Sequence, residues 1–575
     1  MDRTRPTHVL LLLIAFAVLG ALLLYPIWLA ARGAFLDNDG GFTLYHIQTV
    51  FTTPRLREGL INALLIAVMT TALSLIFALP LAMLSARYTF PGKGLLSGLV
   101  LIPLILPPFV GAIGLYHLAG RAGTINTILL DLGIISESID FIGKGGFWAV
   151  VLIEALHLYP IIYLNATAAL ANLDPALEEA AENLGASRWR RLRTIVLPLV
   201  RPGLFAGSTI VFIWSFTELG TPLMFEYHDV TPVQIFNGIR EMEASAEPYA
   251  LTVILLLSAV MCYLLGRLAF GGRAYEMYSK ASIQSSAARL RALPSAGAIS
   301  AFVFMIGLAA LPHAGVILAS LSESGTWYQS VVPRAYTLDH FEQALTHPLA
   351  RGSIRISLLC AGAAVVLDLV LGLIIAHLLV RTRVLGRGLL DALSMLPLAV
   401  PGLVIAFGYV AMTLEWPFTE GGPLHGVVSV LAADPNPIPL LIIAYAIRRL
   451  PYVVRSAVAG LQQTARELEE ASLNLGASRM RTLRVITMPL IAANLIAGAL
   501  LAFSFAMLEV SDSLILAQRE EHFPITKAMY VLFQRLGDGE HIASAMGVWG
   551  MALLTVTLVG AAMLMGKKMG AIFRV

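Results

Sequence analysis

Apolar runs long enough to cross a lipid bilayer recur from one end of the chain to the other, and no other feature narrows its fold as far. A crossing helix needs about 20 predominantly apolar residues. Twelve segments qualify: 8–31, 61–86, 95–119, 147–170, 202–224, 249–269, 297–320, 353–380, 389–414, 439–461, 492–516 and 544–566. Such runs exceed the length of barrel strands, so helices are the spanning form. Composition agrees, since 58% of the 575 residues are hydrophobic and 13% charged, a balance foreign to soluble domains. The fold class expected is therefore an all-α polytopic membrane protein. Arg3 and Arg5 precede the first run as in a secretory signal, but the run is too long for a signal core and no clear cleavage site follows, so it reads as span 1. Cys262 and Cys360 both fall inside spans, which argues against a disulfide framework or a cysteine metal site.

Between the spans one stretch occurs twice. Residues 177–199 read LEEAAENLGASRWRRLRTIVLPL and residues 468–490 read LEEASLNLGASRMRTLRVITMPL, an offset of 291 with 16 of 23 positions identical. Each copy predicts a short helix. In the first, Asp174 suits the N-cap, Pro175 the first turn, and Gly185 the left-handed residue that ends it. Leu177, Ala180, Ala181 and Leu184 then share a narrow apolar face, while Glu178, Glu179 and Glu182 lie near the positive end of the helix dipole. That is the pattern of a helix that presses small residues into a partner's groove; an amphipathic helix resting on the membrane is the plainer reading.

The repeat is wider than this loop. Residues 87–99 align with 381–393, and Pro103, Pro107 and Gly114 align with Pro397, Pro401 and Gly408 at an offset of 294. The chain thus consists of two homologous six-span halves, 1–270 and 297–575, in parallel orientation because each half has even parity. Residues 271–296 read as a cytoplasmic linker. The prolines of spans 3 and 9 should interrupt helical hydrogen bonding at membrane depth, either as a packing kink or beside a pathway. Lys and Arg concentrate in the segments that face the cytoplasm if the N-terminus lies inside, which puts both repeated loops and both termini on that side.

The repeated segment resembles the EAA loop of permease subunits from binding-protein-dependent ABC importers. Glu179, Ala180, Ala181 and Gly185, and then Glu470, Ala471, Ser472 and Gly476, occupy the motif's positions, with Ser472 a departure from alanine. The resemblance implies a type I importer permease fold with both halves fused in one chain. It also implies that each loop is a coupling helix seated in an ATPase subunit, so that the partners are two copies of an ABC ATPase, which bind the ATP and Mg, and an extracytoplasmic substrate-binding protein. Length, fusion and the phrase Thr217–Thr221 (TELGT) are most similar to the ferric iron permeases; thiamine, polyamine and phosphonate permeases share the design. The location implied is the bacterial cytoplasmic membrane.

Ionisable residues inside spans are expensive and thus candidates for function. Glu218 and Glu509 are equivalent at the offset of 291; with Asp512 they suggest an acidic lining for a cation, or local capping near the outer surface. Glu154 and His157 lie in span 4, and Arg448 and Arg449 in span 10, so a Glu154–arginine pair, structural or gating, is a second expectation. His117, Asp368 and His377 stand alone in their spans. No Walker A sequence, zincin motif, nucleophile elbow or dinucleotide fingerprint is present, so the chain carries no cofactor of its own and is not read as an enzyme. The arginines beside the loops, Arg188, Arg190, Arg191 and Arg193, suit lipid headgroups or the ATPase rather than nucleic acid. An ion-driven secondary carrier would also use repeats and buried charges, but would leave the twin loops without a purpose.

Overall fold

A computed structural model describes residues 6–37, 40–105, 107–142, 146–171, 173–239, 245–270, 288–419, 421–535 and 537–565. Among these, nine helices are long and apolar enough to cross a membrane, and two further helix pairs qualify as broken spans. The twelfth expected span is the 26-residue helix Ile438–Gln463, set apart only by Arg448, Arg449 and Arg455 along its length. The fold is therefore all-α; among the described residues the β structure is a two-residue parallel pairing of Tyr88–Thr89 with Ala288–Arg289 and the isolated bridges Leu36–Phe42 and Ser322–Tyr336. Of the linker expected at 271–296, residues 271–287 lie outside the described residues, and span 7 already begins at Ala292.

Spans 3 and 9 break where their prolines predict. Pro107 precedes the helix Pro108–Ala119, and Pro401 precedes Gly402–Thr413. Proline has no N–H to donate and its ring obstructs the turn before it, so the arms meet at 94° in span 3 and 101° in span 9. Two carbonyls stranded by prolines, those before Pro107 and Pro26, are served by side chains. His157 Nδ1 bonds the Pro103 oxygen at 2.7 Å, and because a carbonyl only accepts, Nδ1 carries the proton. Tyr409 Oη donates to the Leu22 oxygen at 2.7 Å, one turn before Pro26.

The chain forms two compact units whose memberships cross the boundary between the sequence halves. Among the described residues, the early unit spans 58–233 and 257–337 and the late unit 6–57, 234–256 and 338–565. Span 7 (Ala292–Leu321) thus packs within the early unit against Pro108–Ala119, and the end of span 1 (Tyr25–Ala34) packs within the late unit against Gly402–Thr413. Both crossings depend on a glycine. A Cβ on Gly114 would lie 2.3 Å from the Pro312 carbonyl oxygen, and one on Gly408 would lie 2.5 Å from that of Pro26. Small residues at a crossing let two backbones touch, which is the main source of helix attraction where lipid competes on equal terms with apolar side chains.

Away from such crossings the spans show one buried and one exposed face. Along span 8 (Pro348–Arg381), Cys360, Ala361, Ala364, Asp368 and Gly372 are buried, whereas Leu359, Val366 and Val370 are exposed apolar residues, as a lipid-facing stripe requires.

Candidate functional site

Both repeated loops fold alike. In the first, the helix Pro175–Asn183 starts at Asp174, whose carboxylate accepts from the Ala176 N–H at 2.9 Å. It ends at Gly185, which takes a left-handed φ of +81°, with Gly185 N–H donating to Glu182 O and Ala186 N–H to Ala181 O at 2.8 and 2.9 Å. The second helix, Arg466–Asn474, ends the same way at Gly476, φ +86°, with Ala477 N–H donating to Ser472 O at 3.1 Å. Ser187 and Ser478 then cap the next short turn in each loop, a π turn follows (Leu192–Val196, Leu483–Thr487), and span 5 or 11 begins.

What the loops present is apolar and open. Leu184 is 88% exposed and its equivalent Leu475 89%, while Leu177, Ala180, Leu468 and Ala471 are also exposed. Glu179 and Glu470 are exposed beside them. A second side of each helix is tied down. Arg87, the last residue of span 2, bonds Glu178 at 2.7 Å, and Arg381, the last residue of span 8, bonds Glu469 at 3.2 Å. In the first loop Arg191 also pairs with Glu182 at 2.5 Å; in the second Thr482 stands in place of Arg191 and its hydroxyl meets that of Ser472 at 3.0 Å.

The intramembrane charges divide unequally. In the late unit Arg448 bonds Glu509 at 2.5 Å and approaches Asp512 at 3.6 Å, and Arg449 bonds the other oxygen of Glu509 and the Phe505 carbonyl. The Arg448 guanidinium also lies against Gly402, where a Cβ would meet its Nη1 at 1.9 Å, so it pins the break in span 9 as His157 pins that in span 3. The two arginines expected to pair with Glu154 are instead engaged by Glu509 and Asp512. Glu154, in the early unit, is buried and accepts a short hydrogen bond from Ser215. Glu218 is half-buried and accepts from Trp214 Nε1 at 3.2 Å and from the Thr221 N–H at 3.4 Å. The equivalent acids Glu218 and Glu509 therefore sit in different surroundings, one beside an indole and one between two guanidiniums. Of the lone residues, His117 stacks on Trp327 at 4.7 Å and His377 meets His8 at 5.9 Å. Among the described residues no three His, Cys, Asp or Glu side chains are grouped to hold a metal ion.

The sequence matches the family described as binding-protein-dependent transport system inner membrane component, over residues 78–270 and again over 368–566. The chain belongs to this family. It is 28% identical over 493 residues to a ferric transport system permease protein of Actinobacillus pleuropneumoniae, covering 84% of this chain and 67% of that one. A putative ferric transport system permease protein of Haemophilus influenzae is 27% identical over 530 residues, covering 90% and 78%. A molybdenum transport system permease protein of Escherichia coli is 36% identical over 168 residues, covering 28% and 71%. The protein is thus a multi-pass transport permease of the inner membrane family, doubled within one chain. Each matched segment begins near the end of span 2 or within span 8 and runs through the loop, so spans 1 and 7, which each pack in the other half's unit, lie outside both matches.

Of Arg87, Glu178, Arg381 and Glu469, charge singles out only Glu178, for its place near the helix dipole and not for a pairing. The signal that could have found them is joint: the stretches beginning at Arg87 and Arg381, and those containing Glu178 and Glu469, both recur in the two halves.

Proposed function

We propose that the chain is the complete transmembrane pathway of an ABC importer, driven by two copies of a separate ATPase that dock on 177–199 and 468–490. The observation that carries this is the pair of exposed leucine and alanine faces on helices that end alike at Gly185 and Gly476, each backed by an ion pair to a span. Glu179, Ala180, Ala181 and Gly185, with Glu470, Ala471, Ser472 and Gly476, form the docking surfaces in this reading, and both termini face the cytoplasm with them. The chain itself binds no nucleotide; ATP and Mg belong to the ATPase. A binding protein delivers cargo at the opposite face.

Ferric iron is the cargo we assign, supported by relatives named as ferric permeases across 84–90% of the chain. The molybdenum permease is more alike in sequence but over only 28% of the chain, so an oxyanion is the second reading. On the first, Glu154 and Glu218 of the early unit line the path and Ser215 and His157 flank it, whereas Glu509, Asp512, Arg448 and Arg449 form a neutral cluster that shapes it. The test is ATP hydrolysis by the permease reconstituted with its ATPase and binding protein. Stimulation by iron-loaded binding protein supports both assignments; stimulation by a molybdate-loaded one alone leaves the architecture standing and removes iron.

A further inference from the structure

We propose that Arg87–Glu178 and Arg381–Glu469 are the joints through which each loop pulls on a span to which the chain does not directly connect it. Each loop is covalently continuous with two spans, 4 and 5 or 10 and 11. The arginine that reaches it comes from 91 residues away in the first loop and 88 in the second, at the end of span 2 or span 8. The pairs therefore bring a third span under the control of each loop. This inference rests on the reading of the loops as ATPase docking helices and specifies how they work.

Three features favour a joint over an incidental surface pair. The pair recurs at equivalent positions in both units, although the flanking offsets differ (291 for the glutamates, 294 for the arginines). At about 100° per residue, each glutamate lies roughly 200–240° round the helix from the exposed Ala180 and Leu184, or Ala471 and Leu475. Leu177 and Ala181, or Leu468 and Ser472, lie roughly 60–100° from it, so docking and pairing use neighbouring but distinct sides of the helix. Finally, the covalent route from each loop into span 5 or 11 runs through a π turn, a wider and less regular winding than the α-helix around it. A load carried only along that route would be absorbed in part at the turn; the ion pair bypasses it.

The two joints are not equally firm. Arg381 and Glu469 are 9% and 17% exposed against 28% and 26% for Arg87 and Glu178. Arg381 also donates to the Thr464 carbonyl at 3.0 Å, and Glu469 accepts from Thr487, the last residue of the π turn, at 3.2 Å. Val196 stands at the equivalent place in the first half and offers no hydroxyl. Glu469 therefore ties the end of span 8, the docking helix and the π turn together.

The experiment compares Glu178→Gln, Glu469→Gln and the charge exchange Arg381→Glu with Glu469→Arg, in proteoliposomes holding the permease, its ATPase and its iron-loaded binding protein. Iron uptake and ATP hydrolysis are read in parallel, and ATPase retention is read by co-purification. The expected result for Glu469→Gln is normal retention with uptake per ATP reduced on the order of tenfold, a barrier change within the range of a partly buried ion pair. Glu178→Gln should lose less, and the charge exchange should recover most of the loss. Uptake per ATP equal to wild type in both glutamine variants overturns the joint, as does loss of ATPase retention in Glu469→Gln, which would make Glu469 part of the docking surface. A wild-type permease that retains no ATPase would instead overturn the docking reading itself. Should the exchanged pair fail to insert, the glutamine variants decide alone.

Discussion

Replacing Glu509 by glutamine separates the two acids that the repeat makes equivalent. Glu509 touches both Arg448 and Arg449, and Asp512 stands 3.6 Å from Arg448. At about 3 Å and an effective dielectric near 20, each guanidinium contact gains ~5 kcal/mol before desolvation is subtracted. Desolvation offsets much of that while the cluster is whole. With the carboxylate gone, two arginines in a buried setting share the single charge of Asp512, and the expected loss is about 3–5 kcal/mol. Glu218→Gln removes a half-buried carboxylate that accepts from the Trp214 indole N–H and the Thr221 N–H, and glutamine keeps an acceptor oxygen for such contacts, so a smaller loss than at Glu509 is expected.

Thermal unfolding of the purified protein in detergent, followed by tryptophan fluorescence, measures both. Glu509→Gln should lower the midpoint by ~5 °C or more and Glu218→Gln by less. Adding Arg449→Gln to Glu509→Gln should recover part of the loss, because it removes one of the stranded charges. Equal midpoints for the two single variants, or a double variant worse than the sum of its parts, would refute the argument that Glu509 holds Arg448 and Arg449 in place.

Gly408→Ala sets a methyl 2.5 Å from the Pro26 carbonyl oxygen; backbone must shift, at a cost of about 1–3 kcal/mol, read as a lower detergent midpoint with insertion intact. Leu184→Ser and Leu475→Ser change side chains that are 88% and 89% exposed, so stability should stay within ~0.5 kcal/mol while co-purification of the ATPase is lost. A Cβ at Gly185 meets no atom within 4 Å, so the cost of Gly185→Val is chiefly conformational, ~1–2 kcal/mol for a β-branched residue at φ +81°; the loop helix loses its end and transport uncouples while the protein remains in the membrane, which uptake and membrane-fraction assays report together.

The parts of the molecule that were legible beforehand are those where local chemistry fixes the outcome. Asp174, Gly185 and Gly476 specify the loop helices because caps act within a single turn, and Pro107 and Pro401 specify the breaks because a missing N–H has no remedy nearby. The exchange of spans 1 and 7 was not legible. Both runs are apolar throughout, and an apolar sequence states that a helix crosses the membrane without stating which groove receives it. Gly114 and Gly408 mark the grooves, but only their fit to Pro312 and Pro26 says what fills them. The arginine pairing was hidden differently. Equivalence of Glu218 with Glu509 suggests a symmetric role, yet Arg449 has Leu158 as its counterpart and Arg448 has His157, so the neighbours that decide each acid's state had already diverged. Connected spans 10 and 11 pack on each other, and two arginines beside an adjacent acid were the available clue.

Comparison of the halves then sorts their residues by the kind of work they do. What recurs is mechanical: the proline breaks, the glycine crossings with an exchanged span, the capped loop helices, the π turns and the arginine–glutamate joints. Each of these depends on backbone geometry or on a paired charge that another unit of the same shape needs equally. What does not recur is the intramembrane chemistry. The late unit closes its charges into a cluster of two bases and two acids, whereas the early unit carries Glu154 and Glu218 with His157 and no arginine at the matching sites. A motor that pushes on two loops together requires the first set to match; a pathway that handles one cargo at a time sets no such demand on the second. The asymmetry of the acids is therefore no defect in a symmetric machine, and it places the search for cargo contacts in the early unit.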